Sequence, residues 1–449
     1  MPYPSRLRLP SLFAAASLLV LAACGGDGNA QPTASAGGGG DSTATAPAEC
    51  PPGATDQLDL PDGFCATVFH EGVGPARHLA VRPNGDVYVK LRQTDQGGGI
   101  VALRDTDGDD RADRTERFAD FGGTGIEVQN GRLYASSNTE VVRWRLSGNE
   151  LVPTGAPETI VGGFPQQRQH AAKSFTLDGD GGLYVNVGAP SNACQQQMRT
   201  AGSPGQDPCP LLRTHGGVWK YDAAQAGQTH QPAARYAGGI RNAVALDWND
   251  EAGGGRLHVA QHGRDQLKSL WPDRYTQQES AALPSEELFA VSEGDDFGWP
   301  YCYHDWQQEQ KVLAPEYGGD GEEVGRCADF EGPVEAFPGH WAPNDLLFYT
   351  GDAFPEQYQG GAFVAFHGSW NRAPLPQQGY RVAFVPFSGG EPAGDYSTFA
   401  NGFAGPGPIE SSREARYRPM GLAEGPEGAL YIADSQEGRI WRVTYPGKR

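Results

Sequence analysis

Pro83-Asn84-Gly85-Asp86-Val87-Tyr88-Val89 is a polar turn that runs into a short apolar stretch, and the same phrase returns along the chain. It recurs as Asn130-Gly131-Arg132-Leu133-Tyr134-Ala135, Asp180-Gly181-Gly182-Leu183-Tyr184-Val185, Gly255-Arg256-Leu257-His258-Val259, Gly360-Gly361-Ala362-Phe363-Val364 and Pro426-Glu427-Gly428-Ala429-Leu430-Tyr431-Ile432, six copies in all. Gly, Asn and Asp accept the backbone angles that reverse a chain, while the Val, Tyr, Phe and Ile that follow favour extended backbone. A second phrase follows many of the copies, an apolar strand with basic or aromatic alternates: Ile100-Val101-Ala102-Leu103-Arg104, Val141-Val142-Arg143-Trp144, Val218-Trp219-Lys220-Tyr221, Arg381-Val382-Ala383-Phe384 and Arg439-Ile440-Trp441-Arg442-Val443. An inner strand, a turn and an outer strand repeated six times predict an all-β, six-bladed β-propeller. A β-sandwich accommodates six copies of one phrase over so long a chain poorly. Uneven spacing implies inserted loops, mainly within residues 263–345, gathered on one face. The last strand, residues 438–445, is expected to pair with residues 64–69 and close the ring, which removes exposed edges.

Ahead of the repeats, Arg6 and Arg8 precede an apolar run at residues 11–23 that ends in Leu21-Ala22-Ala23-Cys24. This reads as a signal peptide, residues 1–23, closed by a lipoprotein box with Cys24 as the lipidated residue. The run is shorter than the roughly 20 apolar residues a spanning helix needs. Gly25 in place of Asp after the cysteine predicts a lipid anchor at the cell envelope, in the outer membrane and facing the periplasm. Residues 24–50, rich in Gly, Ala, Ser and Thr, make a flexible tether, and residues 51–449 make the propeller domain. Beyond Cys24 six cysteines remain, and pairing in order gives Cys50–Cys65, Cys194–Cys209 and Cys302–Cys327. An exported chain is where such loops oxidise, although spacing alone does not prove connectivity. The net charge of −20 excludes nucleic acid as a partner and leaves the lipid anchor as the contact with membrane.

A propeller does not specify a function, so the chemistry has to come from residues. Five segments carry it: Gln167-Arg168-Gln169-His170-Ala171-Ala172-Lys173-Ser174, Gly239-Ile240-Arg241-Asn242-Ala243, Ala260-Gln261-His262-Gly263-Arg264-Asp265, Asp296-Phe297-Gly298-Trp299-Pro300-Tyr301 and Ala415-Arg416-Tyr417-Arg418-Pro419. In order and spacing they resemble the soluble PQQ-dependent glucose dehydrogenases. Around Cys302, Cys327 and Phe366-His367-Gly368-Ser369-Trp370-Asn371-Arg372 they resemble more closely the sorbosone dehydrogenase-like quinoproteins, over about residues 55–445. The resemblance implies a dehydrogenase that oxidises a sugar-type alcohol, hemiacetal or aldehyde with pyrroloquinoline quinone (PQQ) and Ca²⁺. Electrons would pass to an external acceptor, a cytochrome or a quinone. No Cys-x-x-Cys-His motif is present, so any haem belongs to the partner.

PQQ is a flat quinone with three carboxylates, a shape suited to forked guanidinium partners. The resemblance places Arg241, Asn242, Arg416 and Arg418 against it, and alternation along a strand would put Arg416 and Arg418 on one face. It implies His170 as the base that takes the hydroxyl proton when hydride leaves the substrate carbon. The glucose enzymes carry Asp immediately before this histidine; here Gln169 stands there. Their lysine against the quinone has no counterpart, and Trp370, Asn371 and Arg372 occupy that neighbourhood as expected cofactor contacts. Backbone carbonyls of Gly263 and Arg264 are the expected Ca²⁺ ligands, a role that tolerates side-chain change.

Independently of the resemblance, Asp105, Asp107, Asp109 and Asp113 stand at positions 1, 3, 5 and 9 of a Gly-containing loop, suited to a structural Ca²⁺ or to a plain solvated turn. The aromatic run Phe297 to Tyr301, with Tyr303 and His304, is either loop core or a wall for a sugar. Two other functions compete: a gluconolactonase-type hydrolase with a central divalent metal on acidic and amide side chains, and a cofactor-free binding propeller.

Overall fold

In each repeat the polar turn joins two antiparallel strands, and the strand it leads into is buried on both faces. Val87, Tyr88 and Val89 are all fully buried, as are Leu183, Val185, Phe363 and Val364. Such a strand is sandwiched between neighbouring sheets and reads as a continuous apolar run. The computed structural model describes residues 49–446, which fall in the compact unit Pro47–Arg449. The signal peptide, Cys24 and almost all of the tether lie outside the described residues.

Six sheets make the blades. Blade 1 is Ala76–Val81, Val87–Asp95, Gly98–Arg104 and Arg114–Phe118, and blade 2 begins Ile126–Gln129, Arg132–Ser136, Val141–Arg145 and Glu158–Gly162. Blade 3 is Phe175–Leu177, Gly182–Val187, Gly217–Asp222 and Arg235–Gly238; blade 4 is Ala243–Asn249, Arg256–Gln261, Glu286–Val291 and Glu335–Phe337. Blade 5 is Pro343–Phe348, Ala362–Phe366, Arg381–Val385 and Ser397–Ala400. Blade 6 takes Pro419–Glu424, Leu430–Asp434 and Ile440–Thr444 from the C-terminal end and Cys65–His70 from the N-terminal end, in the register Val68 opposite Trp441 and Cys65 opposite Thr444. The ring is therefore closed by the strand pairing that the sequence predicts. Phe64 packs edge-on against Phe354, Tyr358 and Phe399 beside this seam, and Cys50–Cys65 ties the first described residues to it.

One detail of the sequence reading is corrected. The repeated phrase leads into the second strand of each blade, not the innermost. The first strands pack on one another around the axis. They lack a common phrase because each faces a channel and carries polar residues suited to its own neighbours. The insertion in residues 263–345 folds into the helices Leu267–Leu270 and Gln277–Ala282 and the hairpin Cys302–Asp305 with Gln310–Leu313. Cys194–Cys209 and Cys302–Cys327 pin the long loops of blades 3 and 4. Because strands alternate in direction, the approaches to the inner strands and the loops joining second to third strands emerge on the same face.

Inside the ring, carboxylates on inner strands bridge to the backbone of the next blade. Asp247 accepts from Phe348 N at 2.7 Å, Asp345 from Leu422 N at 2.7 Å and Glu127 from Leu177 N at 3.2 Å. These groups line an axial cavity of about 460 Å³ that also holds His78, Asp250 and Glu424. Burial raises Asp247 to about 7 and lifts Glu127 and Asp345 well above the usual carboxylate range, and the carboxylates also repel one another. A raised folded-state pKa gives stability that is present below the unfolded value and lost as pH rises through the folded one. The melting temperature is expected to fall by on the order of a few degrees between pH 5 and pH 8. Asp247→Asn should flatten that slope; an unchanged slope would show that these carboxylates are ionised in the fold.

Candidate functional site

His170 stands on the approach to the inner strand of blade 3, with the left-handed backbone angle φ 50°. That conformation costs a non-glycine residue about 1 kcal/mol or more and needs a surrounding that enforces it. Gln167 supplies one: its Nε2 lies 2.8 Å from each of the carbonyls of Gln169, His170 and Gly188, which share its two N–H groups. The imidazole Nδ1 lies 2.5 Å from the Ala189 carbonyl. A carbonyl only accepts, so Nδ1 carries the proton and the Nε2 lone pair is left for chemistry. Burial, with Arg241 adding, pushes the imidazole down to about 3. It is therefore a neutral base at ordinary pH. Its orienting partner is a main-chain carbonyl, not the side chain of Gln169. Nothing in a lone glutamine three residues upstream of a histidine marks a clamp in the sequence.

Ala189 N donates to the Arg241 carbonyl at 2.8 Å, which joins this loop to the approach of blade 4. The Arg241 guanidinium is engaged on every side. Nε donates to Asn192 O (3.2 Å), Nη1 to Gly263 O (2.8 Å) and His262 O (3.4 Å), and Nη2 to Asn192 Oδ1 (3.0 Å) and Asp265 Oδ2 (2.9 Å). Asp265 also binds Arg199 at 2.8 Å and accepts from Asn371 Nδ2 at 3.1 Å. Burial opposes its ionisation, but Arg241 and Arg199 outweigh that and hold it well below the usual carboxylate range. Arg241 is thus a keystone of the site whose donors are committed to protein oxygens. The Gly263 carbonyl, an expected Ca²⁺ ligand, accepts from this guanidinium, and the Arg264 side chain is ion-paired with buried Glu316.

From Arg241 the network runs round the axis. His262 Nε2 meets Pro343 O at 2.8 Å and Asn344 Oδ1 at 3.0 Å; Asn344 Nδ2 meets the Met420 sulfur at 3.1 Å, and Arg77 Nη1 reaches the same sulfur at 3.4 Å. Blades 4, 5, 6 and 1 are linked in sequence. Arg418 donates to His367 O at 3.1 Å and Gly368 O at 2.6 Å and stays half-buried on the same mouth. Arg416 does not join it. The inner strand of blade 6 begins only at Pro419, so the alternation expected of a strand does not apply, and Arg416 is exposed against Tyr417.

The remaining expected residues divide. Asn371 is buried in the Asp265 cluster and also contacts His340 Nδ1 at 3.2 Å. Trp370 beside it is 55% exposed. Arg372 is spent on the Ala281 and Pro376 carbonyls, where it fastens the loop to the blade 4 insertion. Asn242 is 3% exposed and, among the described residues, its Oδ1 has no hydrogen-bond partner; a Cβ placed on Gly188 would sit 2.3 Å from that oxygen and 2.7 Å from His170 Cβ. Buried Gln169 Oε1 is likewise unpartnered. Of the aromatic run, Trp299 donates to Asn192 O at 3.0 Å, and Phe297, Tyr301 and Tyr303 are buried, so most of it is loop core. Asp105, Asp107 and Asp109 gather their carboxylates within 4.8 Å of one another, while Asp113 is bonded to Thr106 at 2.6 Å. This loop joins the third and fourth strands of blade 1, on the face opposite His170.

Known proteins share this architecture. The PQQ domain of a pyranose dehydrogenase from Coprinopsis cinerea, solved in its holo form, superposes with a TM-score of 0.67 at 18% identity, covering 86% of this chain and 97% of that one. The calcium structure of a family AA12 enzyme of Trichoderma reesei gives 0.69 at 17% identity, covering 89% and 99%. By sequence, a PQQ-dependent pyranose dehydrogenase of Coprinopsis cinerea is 29% identical over 177 residues, 32% of this chain and 22% of the relative. An uncharacterised protein of Borreliella burgdorferi is 26% identical over 210 residues, 46% of this chain and 48% of its own. The matches therefore span less than half the length of these relatives. The decisive match is broader: the family model described as TrAA12-like fits residues 58–446, and the chain belongs to that family.

Proposed function

We propose that the protein is a PQQ- and Ca²⁺-dependent dehydrogenase that oxidises a sugar-type alcohol, hemiacetal or aldehyde, with His170 as its general base. The observation that carries this reading is the imidazole itself: locked by Ala189 O and the Gln167 clamp, neutral, with Nε2 unpartnered among the described residues. The relatives named for PQQ and for pyranose oxidation support the cofactor and the substrate class. The donor chemistry of the mouth fits the cofactor. Among the described residues, Arg418 and Arg77 offer guanidinium groups without a carboxylate partner, and Asn242 Oδ1 is a buried oxygen in want of a donor or a cation.

Bound there, PQQ with Ca²⁺ would supply the two-electron sink that takes hydride from the substrate carbon. The chain's own part is proton handling and placement. His170 Nε2 accepts the hydroxyl proton as the carbon is oxidised, and the Ala189 carbonyl then stabilises the imidazolium through Nδ1–H. Arg241 and Asp265 hold the loops that carry His170, His262 and Asn371 in one arrangement, so that the base does not have to be ordered during the reaction. Ca²⁺ would draw on oxygen donors here, the Arg264 carbonyl and Asn242 Oδ1 among them. Electrons leave to an external cytochrome or quinone, and the lipid on Cys24 would hold the enzyme at the outer membrane.

The test is direct. Purified protein is titrated with PQQ and Ca²⁺ while cofactor absorbance is followed, and dye reduction is then measured across aldoses, ketoses, aldehydes and polyols. Stoichiometric cofactor uptake and sugar-dependent dye reduction, both abolished by a chelator, are the expected result. A protein that takes up no PQQ is not a quinoprotein.

A further inference from the structure

Arg77 has no place in any of the motifs read from the sequence. It is the second residue of the inner strand of blade 1, half-buried at the mouth that holds His170 and Arg418. Among the described residues its guanidinium has one hydrogen-bond partner, the Met420 sulfur at 3.4 Å, and that sulfur already takes Asn344 Nδ2. A thioether is a weak acceptor. Burial, with the cations Arg92 and Arg418 adding, brings its pKa down to about 10. The chain has 55 acidic residues against 35 basic ones, yet among the described residues no acid pairs with this guanidinium. Compare Arg241, whose donors are all met and whose charge is answered by Asp265. A half-buried cation left among cations is costly unless an anion completes the site.

We infer that Arg77 is the principal carboxylate anchor for PQQ in this chain, acting with Arg418 on the blade 1 and blade 6 side of the mouth. The inference rests on the proposed quinoprotein reading and relocates the grip from Arg241 and Arg416 to a residue outside the family motifs. Its forked donors can meet a carboxylate in two parallel hydrogen bonds, which the Met420 sulfur cannot accept. The Met420 contact then serves to position the guanidinium toward the mouth.

The experiment measures PQQ affinity of the apoprotein by quenching of intrinsic fluorescence, with Ca²⁺ present, for the wild type, Arg77→Met, Arg77→Lys and the surface control Arg145→Met. Arg77→Met should weaken PQQ binding about 10- to 100-fold, Arg77→Lys less, and Arg145→Met, with the same change in net charge, not at all. The apoprotein melting temperature of Arg77→Met should be equal to or above that of the wild type, because the substitution removes an unanswered charge. Affinity within about threefold of the wild type overturns the assignment. So does an affinity loss accompanied by a lower apoprotein melting temperature, the mark of a merely structural residue. A wild type that binds no PQQ removes the quinoprotein reading and this inference together, whereas normal binding by Arg77→Met removes the inference alone.

Discussion

His170→Ala is expected to bind PQQ and Ca²⁺ with near wild-type affinity and to lose turnover by at least about 10²-fold, the lower range for a positioned general base. The cofactor should survive because the imidazole is held through Ala189 O and does not contribute to the Arg241–Asp265 network that shapes the mouth. The pH profile carries a sharper consequence. An unperturbed histidine would give kcat/KM an acid limb near 6.5. Here burial, with Arg241 adding, keeps the imidazole deprotonated down to about 3. The base is in its working form at every pH above that, so the rate should not fall between pH 8 and pH 5 through this group. Dye-reduction rates across that range, for wild type and variant, check both points. An acid limb near 6.5 that vanishes in His170→Ala would mean the imidazole is solvated when the enzyme works. Near-normal turnover in the variant would remove His170 from the mechanism.

How much of this was legible beforehand follows from what each feature depends on. The blades were readable because a strand covered on both faces must be apolar at successive positions, and its leading turn must be Gly, Asn or Asp; both are local properties, as in Asn84-Gly85-Asp86 before Val87. Closure between residues 65–70 and 440–444 was readable for the same reason, since two unpaired apolar strands at opposite ends of a chain have one way to bury their edges. The innermost strands were misplaced because their neighbours are the channel and the next blade, which no local pattern records. The site shows the same division. Which segments gather at the mouth followed from motif order, yet the use of each side chain did not. Arg241 and Arg418 are both arginines in quoted segments, but only the fold puts Asp265 and Asn192 around the first and leaves carbonyls alone around the second. The alternation expected to set Arg416 beside Arg418 does not hold because the strand starts at Pro419, three residues after Arg416. Arg77 and Gln167 went unnoticed because partners, and the lack of them, are properties of space.

Asp265→Leu is expected to destabilise the fold by about 3–5 kcal/mol, the usual cost of leaving a buried ionic partner uncompensated. Three donors lose their acceptor at once: Arg241 at 2.9 Å, Arg199 at 2.8 Å and Asn371 at 3.1 Å. Arg241 matters most, because its side chain is 4% exposed and cannot recover water, whereas Arg199 at 26% can. The effect has a definite pH window. A carboxylate whose folded pKa is depressed stabilises above its unfolded value and loses that contribution as pH falls through the folded one. Asp265 lies well below the usual carboxylate range, so the full difference between wild type and variant should persist down to about pH 5 and shrink only in stronger acid. Urea unfolding at pH 7 and pH 5 measures it. The double variant Asp265→Leu/Arg241→Met supplies the decisive comparison, since removing both charges leaves neither partner of this pair buried and unanswered and should recover part of the loss. If instead the single variant costs less than about 1 kcal/mol, the Arg241 guanidinium is free to leave Asp265. The division of labour argued above would then reverse, with Arg241 available to grip an anion and Arg77 no longer required to.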